Sequence, residues 1–161
     1  MESMMGQSVV LFLSNTGHTK AVAQKIATAT GAQLVAITPQ QAYTAADLDW
    51  NDHTSRSYRE MHAGRVRPAI QPVDAAVVAQ ATTIYLGFPL WWATAPRPVD
   101  TLLDSLNFTG KAIWPFCTSG SSPIDEATAQ LRRDYPAVAW HAGRRFTTQM
   151  TGDDVRAWSQ R

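Results

Sequence analysis

The sequence predicts an α/β fold, a doubly wound five-stranded parallel sheet in the order 2-1-3-4-5 with helices on both faces. Three observations lead there. Strand-like and helix-like segments alternate along the chain, which implies parallel strands joined by crossover helices. The first strand-like segment, Val9-Val10-Leu11-Phe12-Leu13, is a continuous apolar run, as a strand buried on both faces requires. The chain has 161 residues, 45% hydrophobic and 17% charged, which suits one domain with its own core. Residues 1–161 are therefore expected to form a single domain, with 1–7 a flexible N-terminal extension.

The elements follow in order. After the first strand, Ser14-Asn15-Thr16-Gly17 is a turn cluster. Ala21, Val22, Ile26 and Ala29 then fall at helical spacing and Gly31 is a stop signal. Gln33 to Ile37 reads as a second strand. Residues 38–72 are irregular, with Pro39, Pro68 and Pro72 and a short helix near Ser55–Ala63; a connection of that length points to function or to a partner. Val73 to Gln80 reads as a helix. Thr82 to Phe88 is a third strand of β-branched and aromatic residues, ended by Pro89. Val99, Leu102, Leu103 and Leu106 mark the next helix, and Lys111 to Cys117 a fourth strand. Ile124 to Arg133 is a helix with Pro at its first turn. Val138 to Phe146 is expected as one fifth strand. The helix Thr151–Ser159 is capped by Thr151 or Gly152, with Asp153 and Asp154 in its first turn.

Composition excludes several function classes. Lys+Arg is 14 against Asp+Glu 13, a net charge of +1, which argues against nucleic acid as a main partner. The longest apolar stretch, around Ile84–Ala93, is too short to cross a bilayer. The start, Met1-Glu2-Ser3-Met4-Met5, lacks the basic and apolar regions of a signal peptide. These absences fit a cytoplasmic protein. The single Cys117 excludes an internal disulfide. His18, His53, His62 and His141 have no metal-ligand spacing, so no metal is expected. Six Arg face three Asp from Arg132 onward, which reads as a solvated surface.

In the 2-1-3-4-5 order, ligands bind at the C-terminal ends of strands 1, 3 and 4. The first such loop, Ser14-Asn15-Thr16-Gly17-His18-Thr19, joins a buried strand to a helix start, where backbone N–H groups and the helix dipole favour an anion. It holds three hydroxyls and no Arg or Lys, which suits a terminal phosphomonoester held by neutral donors. It is not a Walker loop. The second loop runs from Pro89 through Leu90, Trp91, Trp92 and Ala93. Two adjacent Trp cannot both face one core, so one is open either to a ligand, since an indole stacks well on a planar ring, or to a dimer surface. The third loop, Cys117-Thr118-Ser119-Gly120-Ser121-Ser122, is rich in polar donors and suits the edge of such a ring. Cys117 lacks the C-x5-R pattern of a phosphatase nucleophile, and a thiol at a strand end is commonly a packing residue. There is no G-x-S-x-G elbow and no acidic residue ending strand 3. No side chain is assigned a catalytic role.

Phosphate at strand 1, a flat ring at strand 3 and a polar edge at strand 4 is a layout that resembles the flavodoxin family. Ser14-Asn15-Thr16-Gly17-His18-Thr19 matches its S/T-x-T-G-x-T phosphate loop. Gly87-Phe88-Pro89-Leu90-Trp91-Trp92-Ala93-Thr94 resembles the G-[FY]-P-[IL]-W-W-G-T flavin loop of short bacterial members, with Ala93 where Gly is common. Pro115-Phe116-Cys117-Thr118-Ser119-Gly120 resembles the third loop, P-F-x-T-x-G. The resemblance covers nearly the whole chain and implies flavin mononucleotide (FMN) as cofactor. Its phosphate would lie on Ser14 to Thr19, its ring on Pro89 to Ala93 and its polar edge on Cys117 to Gly120. The pocket is expected to be nearly free of cations, favouring one-electron traffic. Pro39, Tyr43 and Trp50 are candidates for a second wall. The resemblance implies an electron carrier between partner proteins, a reductase and an acceptor, as a monomer or homodimer. The alternative is an NAD(P)H-dependent quinone or nitro-type reductase on the same FMN. Typical electron-carrying flavodoxins are strongly acidic, and this chain is not.

Overall fold

The computed structural model describes residues 7–159. Of the extension expected at 1–7, residues 1–6 lie outside the described residues, and Gln7 belongs instead to the first strand. The strands are β1 (Gln7–Phe12), β2 (Gln33–Ala36), β3 (Ala81–Pro89), β4 (Ala112–Thr118), β5 (Ala139–Trp140) and β6 (Arg144–Phe146). The helices are α1 (His18–Thr30), α2 (Arg56–His62), α3 (Ala75–Gln80), α4 (Arg97–Ser105), α5 (Asp125–Asp134) and α6 (Gly152–Ser159). Every strand pair is parallel and the order is β2-β1-β3-β4-β5, with β6 also on β4. This is the doubly wound arrangement expected from the alternation of elements.

Strand alternation divides the core in two. Val9, Leu11 and Leu13 of the first strand region face the layer of α3, α4 and α5, with Ile84, Leu86, Val99, Leu102 and Leu131. Val10 and Phe12 face α1 and α6, with Val22, Ile26, Phe116, Val155 and Trp158. Both faces of β1 are thus dry, which is why its sequence is a continuous apolar run. Gly87 sits where a Cβ would lie 2.0 Å from the Phe116 ring, so the buried ring occupies the space a side chain would need.

The caps are local and readable. Gly31 ends α1 at φ 75° and donates its N–H to Ala27 O. Ser55 Oγ accepts the Tyr58 N–H at the start of α2. Thr151 and Asp154 bond each other's backbone N–H at 3.2 and 2.9 Å, a reciprocal cap on α6.

The fifth strand departs from the sequence expectation. The segment 138–146 is not one strand but two short pieces, β5 and β6. Pairing steps from Ile113↔Trp140 to Phe116↔Arg144, so one extra residue enters between them. The cause lies on the neighbouring strand. Lys111 O and Ile113 O accept from Ala139 N and His141 N, so odd-numbered residues of β4 direct their polar groups to this side. Pro115 is the next in that series and has no N–H to give. The ladder breaks there and the chain bulges past it.

Residues 38–72 close into a loop with a paired neck. Gln40 N donates to Ala69 O at 2.9 Å and Gln71 N to Thr38 O at 2.7 Å. Arg97 holds the far end, donating to the carbonyls of Glu60 and Met61 at the end of α2. The expected helix near 55–63 is α2.

Candidate functional site

The first loop ends β1 and opens α1. Gly17 has φ 97°, a left-handed conformation, and a Cβ there would meet nothing within 4 Å. The demand for glycine is therefore made by the backbone angle, not by space. Ser14 Oγ accepts the N–H groups of Gly17 and Lys20, both at 3.2 Å. First-turn N–H groups have no intrahelical acceptor. Among the described residues, those of His18 and Thr19, and of Thr16 before them, have no partner. Asn15 Nδ2 is buried and has no acceptor. His18 Nδ1 lies 3.1 Å from Thr16 Oγ1. This donor set, at the positive end of a 13-residue helix, fits a terminal phosphomonoester.

The second loop is a tight hairpin. Trp91 N donates to Thr94 O at 2.9 Å and Thr94 N to Trp91 O at 3.1 Å. The two residues between them, Trp92 and Ala93, have φ of 49° and 66°. Two positive φ angles define a type I′ turn, which Asn-Gly or Gly-Gly would adopt without strain. Here an indole and a methyl are held in it. Tyr43 meets Trp91 edge to face, 5.2 Å between centroids, and Tyr58 and His62 meet Trp92 in the same manner at 5.5 and 5.1 Å. Tyr43 is itself fixed by Glu60 Oε1 at 2.5 Å and by Arg56 over its ring at 3.7 Å. Burial, then the Glu60 carboxylate, push its hydroxyl pKa far up, so it acts as a donor. The 38–72 segment therefore braces both Trp side chains from behind.

The third loop is bound to the other two through Thr118. Its hydroxyl lies 2.7 Å from Thr19 Oγ1 in a buried contact, and its carbonyl accepts Leu90 N–H at 3.1 Å. Arg145 of β6 holds the back of this loop, donating from Nε to Ser119 Oγ at 3.0 Å and from Nη2 to the carbonyls of Ser119 and Gly120 at 3.1 and 2.8 Å.

The loops enclose one groove made of two adjoining clefts. The first, about 490 Å³, is lined by Asn15, Thr16, His18 and Thr19, by Pro89, Leu90 and Trp91, and by Thr118, Ser119 and Gly120. The second, about 650 Å³, shares Leu90, Trp91, Ser119 and Gly120 and continues to Trp92, Ala93 and Ser121. Among the described residues, no Lys, Arg, Asp or Glu lines either cleft.

Most residues expected at the site thus meet there, with exceptions. Cys117 lines neither cleft. It is fully buried in the core opposite Phe88, and burial pushes its thiol up to about 12. Cys117 alternates inward near the end of β4, and the loop proper begins after Thr118. Ser14 and Gly17 shape the first loop without lining the cleft. Of the second-wall candidates, Trp50 lines the second cleft, while Tyr43 stands behind Trp91 and Pro39 pairs with Ile70. Leu48, Phe146, Thr147 and Thr148 line the first cleft and were not expected. A pair of threonines after the last parallel strand was the available clue. The expectation of a pocket nearly free of cations holds for the lining, but the Arg145 guanidinium stands directly behind it.

Fold and site define a class: doubly wound α/β proteins with a phosphate cradle and an aromatic-walled cleft at the switch point. A family model described as flavodoxin matches residues 7–161. The chain belongs to the flavodoxin family. It is similar to a crystal structure described as a flavoprotein from Bacteroides eggerthii DSM 20697, at 36% identity and TM-score 0.93, covering 96% of each chain. A second such structure, from Bacteroides uniformis ATCC 8492, is 39% identical with TM-score 0.91, covering 97% of this chain and 99% of that one. A flavoprotein of Lactobacillus acidophilus NCFM in complex with FMN shares the fold at 20% identity and TM-score 0.74, covering 96% and 99%. Among curated proteins nothing matches.

Proposed function

We propose that the chain binds FMN in this groove and carries electrons between partner proteins. The observation that carries the reading is the convergence of three loops, tied through Thr118, on one groove whose lining is neutral. Family membership and an FMN-bound flavoprotein of the same fold support the cofactor. When bound, FMN supplies reversible uptake of electrons. The chain supplies position. The N–H groups of Thr16, His18 and Thr19, with Asn15 Nδ2, hold the phosphate. Trp91 gives the ring a wall. Thr118 to Gly120 meet its polar edge. Among the described residues, His18, at the phosphate end, is the one histidine in the lining, and no carboxylate or lysine joins it. A carrier needs no such group at the ring, whereas substrate chemistry commonly does.

The reductase reading keeps one observation in its favour. Beyond Trp92, a hollow of about 590 Å³ is lined by His53, Tyr58, His62 and Val66, with Arg56 and Arg59 at hand. It could admit a planar substrate. Titration of the flavin-free protein with FMN, followed by flavin fluorescence, tests the binding; one equivalent taken up with quenching is expected, and no uptake would sink the reading. NADPH is then added to the loaded protein with a quinone and no other enzyme. No steady NADPH oxidation is expected of a carrier, and sustained turnover would move the assignment to the reductase.

A further inference from the structure

We propose that Arg145 is the positioning residue of this groove: it turns two peptides of the third loop so that their N–H groups face the cofactor, and sets its positive charge behind them. The proposal rests on the FMN reading for its ligand and on this chain's own geometry for the rest.

Arg145 lies on β6 opposite Cys117, half-buried. Its guanidinium gathers the carbonyls of Ser119 and Gly120. In a trans peptide the carbonyl and the following N–H point in opposite directions. Holding those two carbonyls from behind therefore turns the N–H groups of Gly120 and Ser121 forward. Gly120 lines both clefts and Ser121 the second. Among the described residues neither N–H has an acceptor. Two successive N–H groups of this kind form a nest for an electronegative atom. The planar fork of Arg can hold the Ser119 hydroxyl and both carbonyls at once, which a single ammonium does poorly.

The charge matters separately. Neighbouring Arg144 pairs with Asp154 at 3.6 Å. Among the described residues Arg145 has no carboxylate partner within ion-pair distance. Its field reaches Cys117, where it opposes the effect of burial. The group that suits this end of the groove is a flat ring with carbonyl oxygens at its edge that gains negative charge on reduction. Two electrons and one proton, supplied in the test by dithionite and water, leave the FMN ring with one added negative charge. Arg145 therefore favours the reduced form over the oxidised one.

The test compares wild type with Arg145→Gln and Arg145→Lys. Far-UV circular dichroism and thermal melts establish that each is folded. Backbone ¹⁵N order parameters of residues 119–122 are read without flavin, and the Kd for oxidised FMN and the midpoint potential with it. In R145Q, these order parameters are expected to fall, FMN to bind about tenfold more weakly, as loss of about 1.4 kcal/mol implies, and the potential to fall. R145K is expected to restore the potential more than the affinity, since it returns the charge without the fork. A merely structural residue would move stability while leaving the potential in place. A folded R145Q with unchanged order parameters, affinity and potential overturns the proposal. If wild type takes up no FMN, the flavin reading falls by itself, and unchanged order parameters in R145Q still overturn the positioning role.

Discussion

The phosphate loop and the ring loop both pass through left-handed backbone space, but they place different residues there. In the first, Gly17 takes φ 97° with no side chain to strain, and the hydroxyl of Ser14 accepts the N–H groups of Gly17 and Lys20, leaving those of His18 and Thr19 to a ligand. In the second, Trp92 and Ala93 take φ of 49° and 66° in a turn built for glycine. The first loop binds through its backbone, so a residue without a side chain suffices. The second works through side chains, and the tight turn fixes two indoles relative to each other. Left-handed conformations cost a residue with a Cβ about 1–2 kcal/mol. That strain is held by the edge contacts of Tyr43, Tyr58 and His62.

The contrast can be broken first at the side chain. Trp91→Ala should weaken FMN binding by about 2 kcal/mol, roughly thirtyfold in Kd, as loss of a stacking wall implies. Trp92→Ala, which leaves the first cleft's lining intact, should cost clearly less in the same fluorescence titration. Equal losses would mean that the hairpin, not Trp91, carries the ring. Next comes the backbone. Gly17→Ala has room for its methyl but the wrong angle, and should lower stability by about 1–2 kcal/mol in urea denaturation. Ala93→Gly should act in the opposite direction, relieving strain against the entropy of a glycine, for a net gain of about 0.5–1 kcal/mol in the flavin-free protein. If both substitutions destabilise, the ring loop is not strained in the sense argued above.

The smallest effect concerns the thiol at the root of the third loop. Burial, opposed by Arg145, holds the Cys117 thiol up near 12, against an ordinary 9.0. The folded chain keeps this proton while the unfolded chain loses it. The contribution is present below pH 9.0 and fades as pH rises toward 12. Native protein at pH 8 should not react with iodoacetamide, and urea-unfolded protein should react with one equivalent. Rapid labelling of the native protein would place Cys117 in the groove after all.

Much of this was legible in the sequence because its causes are local. The apolar run Val9–Leu13, the Gly31 stop and the Thr151 cap each act within a few residues, and the three loops follow from the strand ends. What stayed hidden depends on contacts between distant segments. The break between β5 and β6 is imposed by Pro115 on the adjacent strand. Cys117 looked like a loop residue because it adjoins one, but strand alternation turns it inward. Leu48 and Thr148 reach the cleft only through tertiary folding, and Thr148 is held by its carbonyl on Lys25 of α1 at 2.6 Å. Arg145 sat among C-terminal arginines that the composition assigned to solvent.

The interruption at Pro115 also bears on how the molecule behaves when crowded. An outer strand with a long free ladder is a template on which another chain can add. On this side the outer position offers two residues, a bulge and three residues, with Trp158 Nε1 already bonded to the Ala142 carbonyl at 2.8 Å. A second copy finds no continuous rail to extend. The opposite rim, β2, is four residues long. Among the described residues, β2 is thus the rim with an unbroken ladder to offer an added strand, and the interrupted side is the poorer template.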